Sequence, residues 1–312
     1  MPRKIVIDCD PGHDDAVAIL LAHGNPEIDL VAITTVAGNQ TLDKVTWNAR
    51  SLATLAGITG VPVAAGCDRP LLRDAIVAEE IHGTTGLDGT TLPEPTVELD
   101  PRHGVDVIID TIMDADASEI TLVPTGPLTN IAVAVRRAPH IVSRVREVVL
   151  MGGAYTRGNV TPAAEFNIAV DPEAAAIVFA AGWPLTMVGL DLTHQALATA
   201  EVRARIAAIG TPPARAIGDL LEFFRVAYLA DQGMPAPPVH DPCAVARVID
   251  PSVMTVEEAV VTVETQGRFT SGMTVTDFRG RPANALVATT LDVPRFWDLV
   301  VDALTAIGPV RA

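Results

Sequence analysis

The chain has 312 residues, 49% of them hydrophobic and 19% charged, which is too apolar for disorder and long enough for a large core. Its 22 Lys and Arg stand against 38 Asp and Glu, and the formal charge of −16 argues against a general binder of nucleic acid or anionic membrane, because phosphates would be repelled. Three widely spaced cysteines, Cys9, Cys67 and Cys243, argue against a disulfide framework or a CxxC zinc site.

Lys4-Ile5-Val6-Ile7-Asp8 is a short apolar run that ends in acids, a buried strand. After Pro11-Gly12 the stretch 16–22 forms a helix, ended by Gly24-Asn25-Pro26, and 30–36 reads as a second strand. Helical spacing over 40–56 stops at Gly57, and 61–66 is a third short strand. A polar stretch with several Gly and Pro, 69–102, reads as a long loop. Helix 103–113 then leads to strand 120–123, helix 128–137 to strand 148–151, and helix 172–181 to strand 185–188. Thr129 and Asn130 stand where they would cap the helix they open. Two helical stretches around 200–230 are divided by Pro212-Pro213. Residues 256–263 and 273–276 read as antiparallel strands, and a last helix, 293–307, is stopped by Gly308-Pro309.

This alternation predicts one α/β domain over 1–312: an open, mostly parallel sheet with flanking helices, some antiparallel strands toward the C-terminus, and a helical excursion near 200–240. The most apolar segment, 174–190, is cut by Gly182-Trp183-Pro184 and is too short to span a membrane. No charged-then-apolar leader precedes the first strand, so the expected compartment is the cytoplasm.

The window Asp8-Cys9-Asp10-Pro11-Gly12-His13-Asp14-Asp15 holds the chemistry. It falls where the first strand ends and the first helix begins, the crevice in which open α/β sheets bind ligands. Asp14 and Asp15 at a helix N-terminus gain about 0.3–1 kcal/mol each. Two carboxylates 4 Å apart at an effective dielectric near 20 repel by roughly 4 kcal/mol. Solvent, protonation or a cation must offset the difference, and an all-oxygen pocket suits Ca²⁺ or Mg²⁺. Asp-x-Asp after a first strand also opens the dehalogenase-type phosphatases, but the continuation Pro-Gly-His-Asp-Asp does not fit them. No P-loop, HExxH or dinucleotide fingerprint is present.

The acid window resembles the signature of the nucleoside hydrolases, with further matches at Gly38-Asn39, Val123-Pro124-Thr125-Gly126-Pro127-Leu128-Thr129-Asn130, Met151-Gly152-Gly153, Glu165-Phe166-Asn167 and His240-Asp241-Pro242. The likeness runs nearly the whole length and is nearest to the inosine–uridine-preferring branch. It implies hydrolysis of the N-glycosidic bond of purine and pyrimidine ribonucleosides to base and ribose in nucleoside salvage, in a homo-oligomer, often a tetramer. It implies one Ca²⁺ per subunit, held by Asp10, Asp15, Asp241 and the carbonyl of Thr125. Asp10 is then the base toward the attacking water on the metal, with Asp8 behind these ligands and Asn39 orienting them. Asp14 and Asn167 would bind the ribose 2′- and 3′-hydroxyls. Asn159 and Glu165 would bind the 5′-hydroxyl; Glu165 and Asn167, two apart in an extended chain, would face the same way. Met151 and Phe166 would give apolar contact.

His240 is the implied acid for the leaving base, its near-neutral pKa range suiting the task. His82, in a loop able to act as a lid, is a second candidate near the base. His13 carries no assigned role, Cys9 and Cys243 are expected to be buried packing residues, and Phe223, Phe224 and Tyr228 form core or pocket wall. Some relatives have a tyrosine near position 224; here Phe224 lacks the hydroxyl and Tyr228 lies one turn on. The rival functions are a Mg²⁺-dependent phosphohydrolase and a nucleoside-binding protein without turnover.

Overall fold

Residues 1–308 are described by a computed structural model, so Pro309, half of the expected final stop, lies outside the described residues. The opening apolar run forms β1 (Arg3–Cys9), which pairs in parallel with β2 (Ile28–Thr35) on one side and β4 (Ile120–Pro124) on the other. Its residues alternate between two cores: Ile5, Ile7 and Cys9 pack on one face of the sheet and Val6 on the other. β3 (Val63–Ala65) closes one edge, while β5 (Glu147–Met151) and β6 (Leu185–Val188) extend the parallel run away from it. The full order is β3-β2-β1-β4-β5-β6, followed by three more strands, Ala285–Leu291 (β9), Met254–Val263 (β7) and Thr274–Asp277 (β8).

The far end is antiparallel as expected: β7 (Met254–Val263) pairs with β8 (Thr274–Asp277). Between β6 and β7 lies β9 (Ala285–Leu291), parallel to β6 and antiparallel to β7, a strand the sequence reading did not anticipate. Its sequence, Ala-Leu-Val-Ala-Thr-Thr-Leu, is short and mixes Ala with Thr, and pairing on both edges rather than propensity makes it a strand.

Helices cover both faces. α1 (His13–Gly24) is buried over its first ten residues, as an all-round apolar helix must be. It shares a core with α2 (Leu42–Ala56), α9 (Ala200–Ile209), α10 (Pro212–Gln232), α11 (Pro242–Ile249) and α12 (Val293–Ala306). The opposite core holds α4 (Gly104–Asp114), α5 (Thr129–Arg137) and α7 (Pro172–Phe179). Three short helices, α3 (Glu79–His82) within the long loop, α6 (Phe166–Val170) and α8 (Leu190–Thr193), were not expected, nor was α11. The break at Pro212-Pro213 is as read: both prolines sit in the first turn of α10, where no N–H is missed. Among the described residues no helix is long and apolar enough to cross a membrane.

Candidate active site

β1 and β4 are neighbours, and the chain winds outward from them in opposite directions, toward β2 and toward β5. That reversal opens a crevice at their carboxyl ends. The turn at Pro11-Gly12 delivers Asp10, Asp14 and Asp15 to it, and Thr125 follows β4, its N–H donating to the Asp8 carbonyl at 2.8 Å. Asp241 arrives from far along the chain as the residue before α11. One carboxylate oxygen from each of Asp14, Asp15 and Asp241 lies within 4.8 Å of the other two, and none of the three residues is more than 4% exposed.

Asp10 stands beside this trio, fully buried. Its Oδ2 accepts the Asn39 backbone N–H at 2.7 Å, while its Oδ1 has no partner among the described residues. Gly38 and Gly126 pass so close that a Cβ on either would collide with this carboxylate, 2.6 Å from Oδ1 in the case of Gly126. Asp15 accepts from the Gly12 N–H at 3.0 Å, the Thr125 hydroxyl at 2.8 Å and the Asn39 amide at 3.3 Å. Asn39 thus ties Asp10 to Asp15. Asp8, on the Val6 face of β1, accepts from the Thr34 hydroxyl at 2.6 Å and the Asn130 amide at 2.7 Å. Asn130 and Thr129 therefore do not cap α5: the Thr129 hydroxyl donates to Asp171 at 2.7 Å. Both side chains serve buried acids because bonding a carboxylate contributes more than bonding one free backbone N–H.

Burial, followed by the charge of Asp15, pushes the Asp10 carboxyl well above its usual range and lifts Asp14 to about 7. Burial lifts Asp15 to about 6 against the pull of its donors, and burial with the charges of Asp14, Asp15 and Asp10 raises Asp241 well above normal. Among the described residues no Lys or Arg lines the cavity that these acids floor. An orphaned buried carboxylate oxygen and an all-oxygen donor set, with no Lys or Arg beside them among the described residues, fit a hard divalent cation.

The cavity has a volume of about 450 Å³ and is lined by twelve of the fourteen residues singled out in the sequence; Asp10 and Asp15 lie beneath its floor. Met151 ends β5 at one wall. The expectation that Glu165 and Asn167 lie on extended chain fails. Glu165 instead caps α6, its carboxylate accepting the N–H groups of Asn167 at 2.9 Å, Ile168 at 3.1 Å and Gly153 at 2.9 Å. Burial raises it to about 7 despite these donors. The Asn167 amide donates to the Thr125 carbonyl at 2.7 Å, and Asn159 Oδ1 accepts the Phe166 N–H at 3.0 Å.

The opposite wall is aromatic. Tyr228 and Phe224 of α10 pack edge to face with centroids 4.8 Å apart, and His13 lies flat against both Phe223 and Phe224 at 5.1 Å. His13 Nδ1 meets His82 Nδ1 at 3.1 Å, so a residue without an assigned role braces one that lines the cavity. The His240 ring is held between the Thr193 hydroxyl at 2.7 Å, on Nδ1, and the Tyr228 hydroxyl at 2.8 Å, on Nε2. A near-neutral pKa for His240 is not found: burial, then His194, lowers it to about 3, so the imidazole is neutral. Sequence reasoning missed Thr193 and also Asp231 and Gln232, which line the cavity one turn beyond Tyr228. The i, i+4, i+7, i+8 spacing from Phe224 carried a signal for those two; nothing local marks Thr193. Cys9 and Cys243 are buried as expected.

A family model described as inosine-uridine preferring nucleoside hydrolase matches residues 5–298. The chain is 58% identical to an inosine-uridine preferring nucleoside hydrolase of Crithidia fasciculata and 59% identical to one of Leishmania major, in each case over 99% of both chains. Among solved structures, a purine-preferring ribonucleoside hydrolase from Gardnerella vaginalis superposes with a TM-score of 0.93 at 33% identity, over 99% of this chain and 100% of that one.

Proposed function

The chain belongs to the inosine-uridine preferring nucleoside hydrolase family, N-glycosidases, and from that premise we propose that it hydrolyses purine and pyrimidine ribonucleosides to free base and ribose at the crevice between β1 and β4. The observation that carries this reading is the buried trio Asp14, Asp15 and Asp241 at the base of a cavity that, among the described residues, no Lys or Arg lines. A phosphorylated substrate would call for basic side chains to grip it, and among the described residues no Lys or Arg lines the cavity, which weighs against the phosphohydrolase alternative.

Asp10, Asp15, Asp241 and the Thr125 carbonyl would hold one Ca²⁺. When bound, the ion offsets the crowded negative charge, grips a vicinal diol and acidifies water. Asp10 is the general base: Asn39 anchors its Oδ2, and among the described residues its Oδ1 has no hydrogen-bond partner. Asp14 is left for the ribose 2′-hydroxyl and Asn167 for the 3′-hydroxyl, which makes a 2′-deoxyribonucleoside a poor substrate. Asn159 and Glu165 bind the 5′-hydroxyl, and Met151 and Phe166 pack on the sugar. As the glycosidic bond breaks, positive charge grows on the ribosyl ring, and the surrounding carboxylates stabilise that state more than the ground state. His240 and Tyr228 serve the departing base on the opposite wall, with His82 beside it. The whole chain works as one unit, and a tetramer is the assembly to look for by light scattering.

One assay tests the reading. Incubation with inosine and uridine should release reducing sugar and no phosphate, and a chelator should stop it. Phosphate release from nucleotides, or tight binding without sugar release, would overturn it.

A further inference from the structure

Thr193 is the last residue of α8, directly after β6, and is fully buried. Among the described residues its hydroxyl has a single partner, His240 Nδ1 at 2.7 Å; its backbone N–H is used separately, on the Gly189 carbonyl at 3.1 Å. A buried hydroxyl with one partner has only two choices. If it accepts from Nδ1–H, its own proton is left without an acceptor away from water, which carries the full desolvation penalty of a polar donor. If it donates, no proton is orphaned, and an under-used oxygen lone pair is the cheaper deficit.

The donating arrangement has consequences along the chain. Both His240 ring nitrogens face hydroxyls, and an Nδ1 that accepts leaves the ring a single proton to carry. With Nδ1 accepting, that proton sits on Nε2 and is donated to the Tyr228 oxygen at 2.8 Å. The Tyr228 hydroxyl proton cannot then point back at His240. Its only remaining direction is the cavity that the side chain lines. We propose that Thr193 is a positioning residue: its hydroxyl fixes the His240 tautomer and so turns the Tyr228 O–H toward the leaving nucleobase. This rests on the reading of His240 and Tyr228 as the leaving-group side of a nucleoside hydrolase. No bond to Thr193 is made or broken in the reaction.

The test is spectroscopic and kinetic. In Ca²⁺-loaded enzyme labelled with ¹⁵N-histidine, His240 (identified by its loss in His240→Ala) should show a protonated Nε2 and a bare Nδ1. Thr193→Val keeps the shape without the hydroxyl. It should shift His240 toward the other tautomer and lower inosine turnover about tenfold or more, while activated nitrophenyl riboside, which needs no acid, stays within about twofold. Thr193→Ser should restore both the tautomer and the inosine rate. A wild-type His240 protonated on Nδ1 overturns the proposal even if Thr193→Val does not fold. A Thr193→Val enzyme with the wild-type ratio of the two substrates also overturns it. His240→Ala separates the layers: loss on inosine alone with no such selectivity in Thr193→Val sinks the role of Thr193 and spares the functional reading. Equal loss on both substrates in His240→Ala sinks the leaving-group role of His240, and the proposal with it, while sugar release by the wild-type enzyme still decides the hydrolase reading.

Discussion

The floor and the aromatic wall of the cavity solve opposite problems. The floor concentrates charge. Asp10, Asp14, Asp15 and Asp241 are buried together, restrained by backbone N–H groups, by Asn39 and by glycines that leave room for nothing larger. The wall avoids charge. Burial keeps His13 and His240 neutral, and their partners are backbone, imidazole and hydroxyl groups. The reaction proposed above, which would build positive charge on a sugar and negative charge on a leaving base, would need both environments within one ligand's length. Mixing them would let the acids hold the wall histidines protonated and bound to carboxylate.

The largest effect is expected on the floor. Asp10→Ala should lower turnover of inosine, uridine and nitrophenyl riboside alike by roughly 10³-fold or more, because the base is needed whatever leaves. Near-normal turnover in sugar-release assays removes Asp10 as base.

Removing the cation comes next, and it has a stability signature. Asp14 and Asp15 are raised to about 7 and about 6, above the range of an unfolded carboxylate. The metal-free folded state therefore holds protons that the unfolded state has lost between about pH 4 and 7, and its stability falls as pH rises through that window. Chelated protein should show a lower Tm at pH 7.5 than at pH 5, and Ca²⁺ should restore the loss at pH 7.5. A chelator-insensitive Tm and activity at pH 7.5 would remove the cation from the floor.

On the wall the effect should be smaller and selective. Tyr228→Phe should cost about tenfold on inosine and little on nitrophenyl riboside, measured as kcat for each. An equal fall on both would move Tyr228 from the leaving-group side to a structural role. The smallest effect is expected at the rim: Asn159→Ala should raise KM for inosine several-fold and leave KM for 5′-deoxyinosine unchanged, since that substrate lacks the hydroxyl in question. A rise for both would argue that Asn159 acts only through its bond to the Phe166 N–H.

The two regions also differ in how far they could be read in advance. The floor is mostly one continuous window, residues 8–15, with its turn residues and helix start in register, so local sequence announces it. Asp241 joined it only through a resemblance. The wall draws on α3, the end of α8, α10 and the approach to α11. His13 and Thr193 carry no local mark, because their roles are contacts with residues 69 and 47 positions away. The extended reading of Glu165 and Asn167 failed for the same reason: the Gly153 N–H, two residues past the end of β5, helps hold the Glu165 carboxylate at the start of α6.

The amino-acid order alone determined the alternation of strands and helices, the parallel sheet, the position of the acid turn and its need for a counter-charge. Those follow from periodicity, turn chemistry and Coulomb repulsion, which act over a few residues. Tertiary structure decided that β9 is a strand between β6 and β7, that Asn130 serves Asp8 and not its own helix, and that His240 is a neutral link between two hydroxyls. Each of these depends on which distant groups are left to satisfy a buried polar atom or an open strand edge, and that is settled only when the elements pack.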